Sequence, residues 1–321
     1  MGTAITIGNF DGVHMGHRAL VAAAREGLAQ REGTVEGHRV VAVVFDPHPM
    51  SLLRPDGAPA RLSTMKQREG WLRQVGCTDV VVLSTTADLL ATEADVFILE
   101  LMDRVKALTG GFDLVVEGDD FRFGKSRAGD IGLLRAMGDA LSFGVQTVHG
   151  VDVALSDHSL VRASSSISRW LLSHGRVDDA RRVLGRDYEV TGTVQRGDQK
   201  GRTIGVPTAN VMTDQLFPSD GVYAAMARLP DGSSIAAAVN VGSRPTVEGI
   251  ERRIEAHLLN AQSMDGRVLS GGMPLEEYGW PLTIGFRAFV RDQVRFPSFD
   301  ALRQQISRDL VRVEQLLAVP R

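Results

Sequence analysis

The sequence predicts an α/β domain on a parallel sheet over residues 1–185. An antiparallel β domain, barrel or sandwich, follows over residues 186–321 and ends in one helix. Three observations lead there. Up to about residue 150, apolar runs alternate with amphipathic stretches, and the runs lack period-two alternation, as strands buried on both faces do. From Tyr188 onward, strand-like segments follow one another with turn residues and no helices between them. At 321 residues the chain is long enough for two separate cores.

The elements follow in order. "AITIG" is the first strand and "HRALVAAAREGLAQ" its helix. "RVVAVVF" leads to a helix near "MKQREGWLRQVG", and "DVVVL" leads to "ADVFILELMDRVKAL". "FDLVVEG" leads to "IGLLRAMGDAL", and "VQTVHGV" is the last strand of the first set. Two short helices, "SISRWLLSHG" and "VDDARRVLG", precede a boundary near Gly185 to Tyr188. Beyond it, "YEVTGTVQR", "GVYAAMARL", "IAAAVNVG", "RRIEAHLLN" and "PLTIGFRAFVR" are strands, and "FDALRQQISRDLVRVEQLL" is the closing helix.

Composition excludes several classes. With 36 basic and 39 acidic residues the formal net charge is −3, which leaves no basic footprint for nucleic acid. One cysteine, Cys77, allows no intramolecular disulfide and fits a reducing cytosol; its setting in "QVGCTDVVVL" reads as a small buried apolar residue. No run of about 18 apolar residues suggests a membrane span, and polar Asn9 comes too early for a signal peptide. "MGTAIT" formally matches an N-myristoylation pattern, but "AITI" reads as the first core strand. The expectation is a cytoplasmic chain without nucleic-acid or membrane partners, a monomer or weak homo-oligomer.

Ligands of parallel sheets collect at the carboxyl ends of the strands. "GNFDGVHMGH" stands there, after the first strand. Gly8 and Gly12 let the backbone turn closely, and the helix after His17 offers free N–H groups and a positive dipole end. His14 and His17 would be two imidazoles aimed at phosphate oxygens. Standing alone, the stretch reads as a capped turn with two incidental histidines. "SSSISRWLL", from Ser164, opens a second helix, for which a serine cap is the ordinary reading. Arg169 lies in or near its first turn, where the helix dipole disfavours a cation, and an anionic ligand resolves the conflict. "GDDFRFGKS" is not a phosphate loop, because five residues rather than four separate its glycines.

The second half carries "GTVQRGDQKGRTIGVPTAN". Its glycines make a backbone-rich segment with interspersed charge, also readable as a long polar hairpin. Thr208 and Asn210 are hard oxygen donors of the kind Mg²⁺ takes beside phosphates. In "RRIEAHLLN", Glu255 and His257 share one face, and Ile254, Ala256 and Leu258 share the other.

Taken together, "GNFDGVHMGH", "FDPHP", "GDDFRFG", "SSSISR", "VLGRDYEVTGTV", "GDQKGRTIGVPTAN", "FPSDGVY", "NVGSRP" and "IEAHLL", in that order, resemble the prokaryotic bifunctional riboflavin kinase/FMN adenylyltransferase family over nearly the whole chain. The resemblance implies a Rossmann-like nucleotidylyltransferase domain followed by a riboflavin-kinase β-barrel. It implies ATP-dependent phosphorylation of riboflavin to FMN, then adenylylation of FMN to FAD, with Mg²⁺ as cofactor. A single-activity enzyme and a non-catalytic flavin- or nucleotide-binding regulator are the other classes these motifs would serve.

The resemblance also implies roles. Glu255 would be the kinase base, with His14, His17 and Arg169 acting on the phosphates of the adenylyltransferase. ATP and phosphate contacts would come from Gly8, Phe10, Gly16, Asp120, Ser164, Ser165, Ser166, Gly197, Lys200, Gly201, Arg202, Thr208 and Asn210, the last two with Mg²⁺. Asn9, Pro47, His48, Pro49 and Arg291 would hold flavin. Ser166 stands where the family has Thr, and Ser168 where it has a branched apolar residue. Placing the arginine position on Arg169 keeps Gly175 six residues on and puts Leu171 and Leu172 on the apolar face. Asn260 replaces an Asp, and "AQSMDGRVLSGGMPLEE" delays the Tyr-Gly pair to Tyr278 and Gly279. That inserted loop is expected at the flavin end of the kinase site. The family's short lead-in is represented by only a few residues before the first strand.

Overall fold

Val- and Ile-rich runs without alternation form the expected parallel sheet. Its strands are β1 (Thr3–Gly8), β2 (Arg39–Asp46), β3 (Asp79–Ser84), β4 (Leu114–Gly118) and β5 (Gly144–Val148), ordered β3-β2-β1-β4-β5. Between them run α1 (Met15–Glu32), α2 (Pro49–Leu53), α3 (Met65–Val75), α4 (Ala87–Ala91), α5 (Ala94–Thr109) and α6 (Ile131–Leu141). The structure is a computed structural model that describes residues 2–32, 37–197, 206–246, 249–264 and 267–318. Both sheet faces are buried. Ile5, Ile7, Val41, Val43 and Val115 pack against Phe97, Ile98 and Leu101 of α5 and Leu134 of α6. Ala4, Val40, Ala42, Val44, Leu114 and Val116 face the other way, with Val21, Ala24 and Leu28 of α1 and Leu72 of α3. Local signals set the helix ends: Thr64 and Gln67 form a capping box on α3, and Gly76 closes it at φ 117°.

Strands β1 and β4 pair through Ala4↔Leu114 and Ile5↔Val115. Two residues on, the Ile7 N–H donates to Glu117 Oε1 at 2.5 Å instead of to a strand carbonyl. Glu117 is thus a carboxyl set into the sheet where the strand order reverses. Burial pushes it well above the usual carboxylate range, and the Ile7 N–H offsets part of that.

A hairpin of β6 (Asp152–Ala154) and β7 (Leu160–Arg162) precedes α7 (Ser165–Ser173) and α8 (Val177–Leu184). The contacts divide the chain into two units. The first is Met1–Ala60, Thr64–Val153 and Leu160–Ser165; the second is Arg61–Ser63, Ala154–Ser159 and Ser166–Arg321. The expected boundary at 185/186 falls at the end of α8. Within the second unit, α8 packs on the barrel strands and buries Val177, Ala180, Val183 and Leu184.

The antiparallel half is a closed barrel, not a sandwich. Its strands are β8 (Tyr188–Gln195), β9 (Ala209–Met212), β10 (Gly221–Arg228), β11 (Ser234–Thr246), β12 (Gly249–Leu258) and, after three short strands, β16 (Pro281–Arg291). The short strands are β13 (Ser263–Met264), β14 (Arg267–Ser270) and β15 (Met273–Pro274), a separate three-stranded sheet inside the inserted loop. The barrel order is β10-β11-β12-β9-β8-β16. Strand β9 was not expected, because "PTAN" reads as a ligand loop. The last helix, α9 (Phe299–Ala318), sets Leu310, Val313, Leu316 and Leu317 against Ala224, Ala236, Ala238 and Ala288. Alanines on the outer barrel face let the helix approach closely.

Glu117 makes a prediction about pH. Below the unfolded value of 4.5 both states hold the proton. As pH rises past it, the unfolded chain loses the proton while the folded chain keeps it, so stability falls until the raised folded value is reached. Between pH 5 and 8, Glu117→Gln should gain stability relative to the parent by up to about 1.4 kcal/mol per pH unit. Thermal melts of both proteins across that range check it; parallel curves would mean that Glu117 is not held protonated.

Candidate functional site

The turn after β1 is built under strain. Phe10 and Val13 are fully buried and take positive φ, 47° and 39°, beside Gly12 at 83°. A buried β-branched residue there persists only where its surroundings hold it. The Val13 N–H donates to Phe10 O, and α1 begins two residues later. The rings of His14 and His17 stack at 3.6 Å between centroids, with Phe10 at 4.9 Å from His17. The His14 N–H donates to His17 Nδ1 at 3.2 Å. That nitrogen must therefore carry a lone pair, and the neutral ring bears its proton on Nε2, where it can donate to an anion. Gly16 gives the turn room: a Cβ there would crowd the His14 ring at 3.1 Å and Ala163 O at 3.3 Å. Gly8 ends β1 opposite Val44.

Side chains from distant positions brace this turn. Asp11, 4% exposed, faces Arg68, 3% exposed, at 3.6 Å, and Arg68 also reaches Asp46 at 3.9 Å and Phe45 O at 3.3 Å. This buried cluster ties the turn to the start of "FDPHP". No local pattern marks Asp11 and Arg68 as partners, which is why sequence reasoning missed them. Ser165 Oγ donates to Asp11 O at 2.7 Å and joins the serine run to the same turn.

The remaining expected residues of the first unit are placed as follows. Pro47 follows a cis peptide bond, and His48 Nδ1 accepts from Met50 N to cap α2, which Pro49 begins. Asn9 has a buried Oδ1 with no hydrogen-bond partner among the described residues. Asp120 is exposed, and Ser164 half-buried. Ser166 and Arg169 belong to the second unit, where Ser168, Leu171 and Leu172 are fully buried and Arg169 half-buried.

In the barrel, cross-strand register does the positioning. Asn240 on β11 pairs with Glu255 on β12, Glu255 with Asn210 on β9, and Asn210 with Gln195 on β8. Directly paired residues point to the same side of a sheet, so four polar side chains stand level on the outer face while Ile254 and Ala256 fill the core. Asn210 lies against Gly197, where a Cβ would come 2.1 Å from Asn210 Nδ2. Its Oδ1 is buried and has no partner among the described residues. His257 Nδ1 bonds Pro207 O at 2.8 Å and so holds the loop before β9. Lys200, Gly201 and Arg202 lie outside the described residues.

Two cavities flank this row. One, about 390 Å³, is lined by Gly197, Pro207, Thr208, Arg267, Glu277 and Tyr278 among others. The second, about 560 Å³, is lined by Glu255, Asn240 and Arg291 and by apolar Val222, Phe296, Phe299 and Ile306. Thr208, Asn210 and His257 line both. Arg291 reaches across to α9, where its Nε and Nη2 bond Asp309 at 2.7–3.0 Å. The inserted loop lines the first cavity, with Gly197 and Thr208, and not the one lined by Glu255 and Arg291. Its return leg is pinned to β8, since the Gly279 N–H donates to Val194 O and Trp280 O accepts from Val194 N.

Comparison with known proteins accords with both halves. A family profile described as FAD synthetase matches residues 1–160, and one described as riboflavin kinase matches residues 184–317. The chain is 36% identical over 309 residues to the bifunctional riboflavin kinase/FMN adenylyltransferase of Escherichia coli (strain K12), covering 96% of this chain and 90% of the relative. To the protein of the same description from Pseudomonas fluorescens it is 33% identical, covering 99% and 94%. A crystal structure described as a macrolide-efflux protein from Streptococcus pneumoniae superposes with a TM-score of 0.78 at 24% identity, covering 98% of this chain and 94% of that one. At that identity the likeness shows the fold alone.

The buried cluster under the turn has a measurable consequence. Arg68→Met takes the guanidinium away from two carboxylates and should cost about 3 kcal/mol of unfolding free energy. Adding Asp11→Asn should recover part of it. Denaturant titration measures both, and a single variant as stable as the parent would show that the ion pairs are incidental.

Proposed function

The chain belongs to the bifunctional riboflavin kinase/FMN adenylyltransferase family, and from that premise we propose which of its residues carry each reaction. It is a transferase with two activities: phosphorylation of riboflavin to FMN, and adenylylation of FMN to FAD with release of pyrophosphate. Neither a single-activity enzyme nor a non-catalytic binder has support, since both halves match and the relatives are named for both activities.

Glu255, level between Asn240 and Asn210 at the wall of the apolar cavity, carries the kinase reading. In this reading the larger cavity takes riboflavin, with the isoalloxazine among the apolar side chains of α9 and the segment before it. The cavity at Gly197 and Thr208 takes ATP. A primary alcohol is a weak nucleophile until a placed carboxylate accepts its proton. The 5′-hydroxyl gives its proton to Glu255, its oxygen bonds the γ-phosphorus, the bond from that phosphorus to the β,γ-bridging oxygen breaks, and ADP leaves. Mg²⁺ fits the donors present: the Asn210 Oδ1, without a hydrogen-bond partner among the described residues, and the Thr208 hydroxyl are hard neutral oxygens, suited to an ion that also binds phosphates. When bound there it would neutralise charge on the transferring phosphoryl group.

Adenylylation needs no such base, because the FMN phosphate is already anionic. One of its oxygens bonds the α-phosphorus of ATP, the bond to the α,β-bridging oxygen breaks, and pyrophosphate leaves. The His17 Nε2–H, His14 and the N-terminus of α1 would hold phosphate oxygens, with Arg169 as a further cation. Asn9 and His48 would hold flavin. A cytoplasmic monomer or weak homo-oligomer, without nucleic-acid or membrane partners, completes the reading; among the described residues no helix is long and apolar enough to cross a membrane.

Incubating the protein with riboflavin, ATP and Mg²⁺ and separating the flavins tests the assignment. Glu255→Gln should lower riboflavin phosphorylation by about 10²–10⁴-fold and leave adenylylation of supplied FMN intact. A near-normal kinase rate would reduce Glu255 to a surface charge. Arg169→Ala should do the reverse, slowing FAD formation about a hundredfold at an unchanged kinase rate. A loss under about threefold, with the fold intact by circular dichroism, would mean that another cation holds the phosphates.

A further inference from the structure

Resting on Glu255 as the kinase base, we propose that Gln293 and Asn240 form a two-amide relay that fixes the orientation of that carboxylate, with Gln293 acting as a positioning residue. The polarity of the relay follows from one group that can only accept. The Val241 carbonyl lies 3.1 Å from one terminal atom of the Gln293 side chain, so that atom is the Nε2 amine. The same Nε2 donates to Asn240 at 2.8 Å, so the atom receiving it is the Asn240 carbonyl Oδ1. Asn240 must then turn its own Nδ2 the other way. It lies 3.4 Å from Glu255 Oε2, a long donor contact of the kind that tightens when substrate closes the site. A backbone carbonyl thus dictates, through two side chains, that Glu255 meets a donor and not an oxygen.

Two further features belong to this relay. Asn240 and Glu255 are direct cross-strand partners, so their side chains emerge side by side. Gly242, two residues after Asn240, has no left-handed backbone to explain it. A Cβ there would lie 2.1 Å from Gln293 Nε2 and 2.9 Å from its Cδ. Glycine at the third position of "NVG" is therefore the space in which the Gln293 amide lies. With Oε2 held by Asn240, Oε1 is the oxygen left to receive the proton of the ribityl hydroxyl, having no hydrogen bond among the described residues. Placing the acceptor before substrate arrives spares that ordering cost during reaction.

The test compares two replacements of similar length in the full-length protein. Gln293→Met removes the donor. Gln293→Glu puts acceptors in its place, so Asn240 swings its amine toward residue 293 and presents its carbonyl oxygen to Glu255. The kcat for riboflavin phosphorylation should fall about tenfold in Gln293→Met and about a hundredfold in Gln293→Glu. KM for riboflavin and for ATP should stay within about threefold, with the thermal melt of the barrel unchanged as the folding control, and FMN adenylylation should also be unchanged. Gly242→Ala, which displaces Gln293 sterically, should resemble Gln293→Met and gives a second route if either variant folds poorly. In an Asn240→Ala background the Glu and Met variants should become equal. If Glu remains worse there, its charge acts directly on substrate and the relay is wrong. A raised KM at unchanged kcat would also overturn it, by showing that Gln293 only touches flavin. Loss of activity in Glu255→Gln with no difference between the Gln293 variants removes the relay and leaves the base. Retained activity in Glu255→Gln removes both.

Discussion

The register of β12 between β11 and β9 is the constraint on which the kinase half rests. Barrel closure leaves no edge at which that register could drift. A slip of one residue would turn Glu255 and His257 inward and expel Ile254 and Ala256, so the apolar interior enforces the order of the polar row outside. The same pairing places Asn210 against Gly197 and fixes the level at which the two cavities meet. Packing energy and catalytic geometry are here one requirement, satisfied by alternation along a single strand.

In the proposed reading the parallel-sheet unit solves a different problem: it receives anions beside a sheet end rich in acidic residues. Burial pushes the Glu117 carboxyl well above the usual carboxylate range, and it accepts from the Ile7 N–H where β1 and β4 part. Asp11 and Asp46 share Arg68. Arg68 thus faces two of these acids, while Asp119 and Asp120, just past β4, are exposed; in the proposed reading the strained turn keeps its imidazoles and helix N–H groups for ligand. Phe10 and Val13 hold that strain because both side chains are locked in the core.

Much of this was legible in sequence, since it depends on short-range patterns. Unbroken apolar runs predicted the buried parallel strands, and alternation in "RRIEAHLLN" predicted which side Glu255 takes. What was not legible depends on long-range partners. "PTAN" reads as a ligand loop because glycines and prolines surround it, yet β9 is a strand wherever β8 and β12 are there to pair with it. The cavity that the inserted loop lines depends on the strand it returns to, through Gly279 and Val194, which no local pattern shows. The partnership of Asp11 with Arg68 spans elements that no local rule connects. Gly242 ends the strand read as "IAAAVNVG" with no local reason for a glycine; what lies against it is an amide from a segment some 50 residues later.

The two halves differ in their use of charge because their nucleophiles differ. Riboflavin offers a neutral alcohol, so the barrel must supply an acceptor for its proton, and a carboxylate works only if its lone pairs face the right way. That demand for orientation accounts for amides, which can hold a carboxylate without contributing a titrating group of their own. FMN offers an oxygen that is already anionic, so in the proposed assignment the sheet unit supplies donors and cations instead of a base. In that assignment the first site controls the direction of one lone pair, and the second supplies positive partners to a phosphate. A chain performing both reactions therefore gains from keeping them on separate cores, where each electrostatic requirement is met without compromising the other.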